Sequence, residues 1–164
     1  GIGSSHHLTM EAIKAALGID IRHVPFKGSG QSVPALIGGQ VECLFSALPS
    51  LAGFAKSNQV KILASNAGQR SSLMPQVPSI SEIIPGFDFA VIIGALAPAN
   101  APAGAIARLS AEATAVKNHP ELLATMGTAG IDAVGSSPAD YVKAIQSENE
   151  RLAKAVALAG LKPE

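Results

Sequence analysis

The chain has 164 residues, 48% hydrophobic and 15% charged, enough for one well-buried core or two small lobes. Lys plus Arg (12) balances Asp plus Glu (12), so no long-range field draws the chain to nucleic acid or to an anionic membrane. No apolar run approaches the roughly 18 residues of a membrane span, and any anion must be held by local geometry. The single cysteine, Cys43, has no disulfide partner, and its neighbours Val41, Leu44 and Phe45 predict a buried structural thiol.

Met10, Ile13 and Leu17 recur at helical spacing, with Ser5 as a possible N-cap and Gly18 as the stop, predicting a helix over 6–17. Residues 19–26 read as a strand ending in the turn Lys27-Gly28-Ser29-Gly30, followed by a short helix through Leu36 that Gly38 and Gly39 close. The run 41–46 is apolar apart from Glu42, as expected of a strand covered on both faces. A short helix over 49–56 and a strand over 60–65 continue the alternation, which points to an α/β architecture with a largely parallel sheet. Strands near 20–25, 41–46 and 60–65 are expected to be parallel neighbours.

Residues 67–86 carry Gly68, Pro75, Pro78 and Pro85 and read as a connecting region with one short helix near 79–84. The longest strand-like run is 87–96, ended by Pro98 and Pro102. Pro102 opens a helix with Ile106, Leu109, Ala113 and Val116 at helical spacing, and Pro120 opens another. In the last helix Ser137 is the N-cap, Pro138 stands at N1 and Asp140 at N3, with the stripe Tyr141, Ile145, Leu152, Val156 and a stop at Gly160. Glu148, Glu150 and Arg151 read as its solvated face.

Three junctions could bind a ligand. The Gly/Ser-rich start Gly1 to His7 lies directly before a helix, where unpaired N–H groups and the helix dipole favour an anion by roughly 0.3–1 kcal/mol. Gly3, Ser4, Ser5 and His7 are its candidate residues, and ordinary capping by Ser4 or Ser5 is the alternative. The second is Lys27 and Gly28, in a loop that superficially looks like a dinucleotide fingerprint. It fails that test, because Val33 stands where a third glycine is needed and no acidic residue follows about twenty positions on. The third is Ser46, again between a strand and a helix. Strand-to-helix junctions of a parallel sheet share one edge, so three together say more than any alone. Catalytic patterns are missing: there is no G-x-S-x-G elbow, no H-E-x-x-H and no P-loop. The adjacent His6 and His7 point in different directions, and neither a metal site nor a cofactor is expected.

The succession GSSHHL, HVPFKGSG, LIGGQVECLF, VKILASNAGQRS, MPQVPSISEIIPGFDF, GALAPANAPAGAIARL and ENERLAKAVALAGLKPE resembles the tripartite tricarboxylate transporter receptors, the Bug family. The resemblance runs over essentially the whole chain. It implies a two-lobed, Venus-flytrap fold of the type II periplasmic binding proteins, here a fragment with a mainly parallel sheet flanked by helices. Residues 1–90 would form most of the second lobe with the cleft loops, 91–136 the returning part of the first, and 137–164 a C-terminal helix assigned to neither.

The function the resemblance implies is extracytoplasmic capture of a small carboxylate, a di- or tricarboxylate or an amino acid, and its delivery to membrane permease subunits, without enzymatic activity. The location would be periplasmic, reached by a signal peptide that this chain does not contain. The loop matching Gly3, Ser4, Ser5 and His7 would hold the carboxylate through N–H groups, hydroxyls and waters, while Lys27, Gly28 and Ser46 match by position alone. A segment before Gly1, with an Asp-bearing loop of the other lobe, would complete the cleft. The chain departs from the family in having no Trp, where members commonly carry an aromatic in the strand of Val91 to Gly94 and another at Leu152. Two rivals are a regulator's effector domain, which needs a helix-turn-helix upstream, and an α/β enzyme acting on a carboxylate, which needs a nucleophile paired with a base.

Overall fold

A computed structural model describes residues 1–158 and 160. Six α-helices form in them: α1 (Ser5–Leu17), α2 (Ser29–Ile37), α3 (Ala52–Lys56), α4 (Ala103–Val116), α5 (Pro120–Ala129) and α6 (Pro138–Leu158). Short 3-10 turns at Leu48–Ser50 and Ile80–Glu82 complete the regular elements. The helices sit where their caps predict. Gly18 ends α1 in the left-handed conformation at φ 63°, and the N–H of Ile19 reaches back to the carbonyl of Lys14 at 3.2 Å, a backbone that a side-chain-bearing residue adopts only with strain. At the start of α6 the Asp140 N–H donates to Ser137 Oγ at 3.1 Å. The end of the last quoted motif, 161–164, lies outside the described residues.

The core forms where α6 folds back on α1. Leu8, Ala12, Phe87 and Ala155 are buried together, and Ile13, Ile80, Ile84, Phe89, Leu152 and Val156 pack around them. Ala155 is 1% exposed, so α1 and α6 approach across a small side chain that leaves room for Leu8 and Phe87. Arg151 is not part of a solvated face. Its guanidinium donates to the Asp88 carbonyl at 2.7 Å and lies 3.2 Å from the Asp88 carboxylate, tying α6 to the segment after the connecting region.

That connecting region is held by its own polar groups. Arg70 grips Glu82 side-on with two bonds of 2.7 Å and donates to the Pro75 carbonyl at 2.9 Å. The Glu82 carboxylate in turn accepts the Ser79 N–H, and Ser81 Oγ donates to the Gly68 carbonyl. Its hydrogen bonds to Arg70, then to the Ser79 N–H, hold the Glu82 carboxyl at about 2, well below the ordinary range.

The expected parallel sheet is not seen as paired strands in the described residues. Segments 19–26, 41–47, 60–64 and 87–97 run without helix, but among the described residues the sole β pairing is an isolated parallel bridge between Ser65 and Ser79. Its bonds join Ser65 to the connecting region, from its N–H to the Pro78 carbonyl and from the Ile80 N–H to its own carbonyl, both at 2.9 Å. Apolar, β-branched composition favours extended backbone, whereas a ladder also needs a neighbour in register; the Phe89 N–H meets the Asn66 carbonyl at 2.8 Å without a ladder forming there. Apolar side chains are left uncovered accordingly: Leu63 is 66% exposed, Ile93 84% and Leu96 82%. Cys43, on one of these segments, is exposed where a buried thiol was expected. Leu109, on the expected apolar stripe of α4, is exposed as well.

Candidate functional site

The first turn of α1 separates its two serines. Ser4, not Ser5, is the N-cap: in extended conformation, its Oγ accepts the His7 N–H at 3.3 Å and donates to the Gly1 carbonyl at 2.8 Å. The N–H of Ser4 also goes to the Gly1 carbonyl, and that of Leu8 to the Ser4 carbonyl. The Gly3 N–H, with Gly3 at φ 73°, donates to His7 Nδ1 at 3.1 Å. Among the described residues, no acceptor meets the N–H groups of Ser5 and His6 or the Ser5 hydroxyl. Ser5 and His6 are half-buried, so these three donors remain within reach of solvent at the positive end of a helix of 13 residues.

Two other segments close on this turn. The His23 ring stacks on that of His7, with centroids 3.8 Å apart and planes 15° from parallel. Gly1 lies beside the Phe26 carbonyl, which would be 3.7 Å from a side chain placed there. The Phe45 ring meets that of His6 at 5.8 Å. Lys27 follows Phe26 and Ser46 follows Phe45, so two of the junctions singled out in the sequence run beside the third. Lys27 is exposed, its own N–H donating to Gln31 Oε1 at 3.2 Å, and Ser46 is half-buried. Gly28 precedes α2 with no side-chain cap.

The residues that sequence reasoning missed are His23 and Glu11. Glu11 Oε1 lies 3.7 Å from His7 Nε2 and is held by Lys14 Nζ at 2.8 Å. Glu11 was within reach, standing one turn after His7 on the same face. His23 was not, because its pairing spans the end of α1 and a turn. Burial pushes the His6 ring below its ordinary value. Partial burial, then His7 and Lys14, lower that of His23 against the opposing pull of Glu11.

A shallow cavity of about 300 Å³ opens at the start of α2, lined by Ser29, Gly30, Val33, Pro34, Ser50 and Phe54. Its wall is mostly apolar and it brings no charged side chain to bear. Among the described residues no three His, Cys, Asp or Glu side chains converge as a metal centre requires.

The architecture is that of a periplasmic binding protein. It superposes on the periplasmic binding protein BugD with a TM-score of 0.77 at 23% identity, covering 100% of this chain and 56% of that one. The match to R. palustris Rpa4515 with adipate has a TM-score of 0.89 at 26% identity, over 100% of this chain and 55% of that one. The family model of the tripartite tricarboxylate transporter family receptor matches residues 1–161, and the chain belongs to that family. A UPF0065 protein of the tcbD-tcbE intergenic region of Pseudomonas sp. (strain P51) is 28% identical over 95% of this chain and 47% of its own length. The chain spans about half the length of the curated relatives it matches.

Proposed function

We propose that this chain is part of an extracytoplasmic receptor that captures a small carboxylate at the start of α1 and presents it to the permease of a tripartite tricarboxylate transporter. The observation that carries this reading is the trio of free donors there: the N–H groups of Ser5 and His6 and the Ser5 hydroxyl. A carboxylate is acceptor-only and takes such donors in place of water, and the helix dipole favours its charge. Family membership and the likeness to a protein solved with adipate support a carboxylate over other anions.

Desolvating a carboxylate costs several kcal/mol, which three donors do not offset alone. Lys27 and Ser46, on the flanking segments, are the next candidates to contribute, together with Gly28 and the loop of Gly3. The remaining donors belong to the opposing lobe. In this reading residues 1–90 make most of one lobe, 91–136 return to the other, and α6 joins α1. The exposed Ile93 and Leu96 then stand at the start of the segment that returns to the other lobe. The receptor works in the periplasm and binds without chemical conversion. Calorimetry of the whole receptor with a panel of dicarboxylates and tricarboxylates tests the assignment. One of them should bind with 1:1 stoichiometry, and the absence of heat across the panel would refute it.

A further inference from the structure

The His7 ring is buried and engaged on several sides. A backbone N–H can only donate, so the bond from Gly3 requires a lone pair on His7 Nδ1 and places the neutral ring's proton on Nε2, facing Glu11. Lys14 fixes Glu11 with bonds of 2.8 and 2.9 Å. Contacts therefore run along one side of α1 from Lys14 through Glu11 and His7 to Gly3. All of those residues belong to α1 and the loop before it. His23 alone in this group comes from a different segment, and it covers the His7 ring face-on. Glu11 and Lys14 are the charged side chains facing the pair. On the buried face of the helix, α6 meets Leu8 and Ala12 through Ala155, Leu152 and Val156.

We propose that His23 is a positioning residue for the anion site. Stacked on His7, it fixes that ring in the orientation and tautomer that accept the Gly3 N–H. It thereby holds the Gly1–Ser4 loop in the shape that leaves the Ser5 and His6 N–H groups open to a carboxylate. This rests on the reading of the α1 start as the carboxylate site. The physical need for a cover is specific. With His23 gone, one face of the His7 ring opens to water, which competes with the Gly3 N–H for Nδ1. The ring is then free to turn and exchange tautomers, and the glycine loop loses its anchor.

The test uses the whole receptor and two readouts. Imidazole ¹⁵N spectra of the ligand-free protein should show His7 as a single Nε2–H tautomer with a hydrogen-bonded Nδ1. His23→Ala should give mixed tautomers and weaken adipate binding about tenfold, the worth of roughly one hydrogen bond. His23→Phe keeps the flat cover without a titrating group and should restore both the single tautomer and the affinity. An unchanged His7 tautomer and affinity in His23→Ala would overturn the proposal. So would an affinity loss that His23→Phe does not repair. If wild-type receptor binds no carboxylate, the functional reading fails, while the tautomer comparison still decides whether His23 holds His7.

Discussion

Replacing Ser4 and Ser5 one at a time separates folding from binding at the α1 start. The two hydroxyls are neighbours, yet Ser4 Oγ closes the helix onto the His7 N–H and the Gly1 carbonyl while Ser5 Oγ meets no acceptor. Ser4→Ala removes an N-cap and should cost about 0.5–2 kcal/mol of stability. Ser5→Ala leaves that cap intact and should change stability by less than about 0.5 kcal/mol, as for a surface position. Binding reverses the order. A hydroxyl donating to a charged ligand is worth about 1.5–3 kcal/mol, so Ser5→Ala should weaken carboxylate affinity roughly tenfold to a hundredfold. Denaturant titration gives the stabilities and calorimetry with adipate the affinities, both on the whole receptor. Equal affinity in wild type and Ser5→Ala would refute the assignment of Ser5, and a large stability loss in that variant would show that the cap had been placed on the wrong serine.

The depressed rings of His6 and His23 favour the neutral form in the folded state, so they contribute stability above about pH 6.5 that is lost as pH falls below it toward their lowered values; denaturation midpoints compared between pH 7.5 and 5.5 should drop, and less so in a double variant with Phe at both positions. Glu82 should titrate near 2 by carboxyl NMR, its stabilisation present above the ordinary 4.5 and lost as pH falls toward 2, and Arg70→Ala should return it toward the ordinary value. Gly130 is left-handed at φ 71°, and a methyl there would collide with the Leu48 side chain. Gly130→Ala should therefore cost about 1–2 kcal/mol for the backbone and about 1–3 for the overlap, and adding Leu48→Ala should recover the second part in a thermodynamic cycle. Chain 1–164 alone should bind the carboxylate that the panel identifies more weakly than the whole receptor in parallel calorimetry, because it carries only the donors of its own junctions.

Helices were legible in the sequence because their signals are local. Gly18 at the end of α1, Pro120 opening α5 and the Ser137-Pro138-Asp140 start of α6 each act within one turn, and each stands where it was expected. The choice between Ser4 and Ser5 as cap was not legible, since both fit a helix start and only the geometry of His7 decides. Strand pairing was less legible for a different reason: composition favours extended backbone over 19–26 and 41–46, but pairing depends on which backbone lies alongside. Cys43 shows the same limit, its apolar neighbours describing a preference for burial and not the cover that would satisfy it. In the candidate site, the Gly/Ser loop was legible because its residues are adjacent in sequence. His23 became visible only once the chain had turned back after Gly18 to lay one imidazole on another.

The most direct measurement of the central claim is an amide ¹H–¹⁵N titration of the whole receptor with adipate. Binding at the start of α1 predicts that the Ser5 and His6 amides shift furthest downfield among residues of this chain, with the Gly3 amide following as the loop tightens. Saturable binding that leaves Ser5 and His6 unmoved, or that shifts amides around Val33 and Phe54 instead, would contradict it.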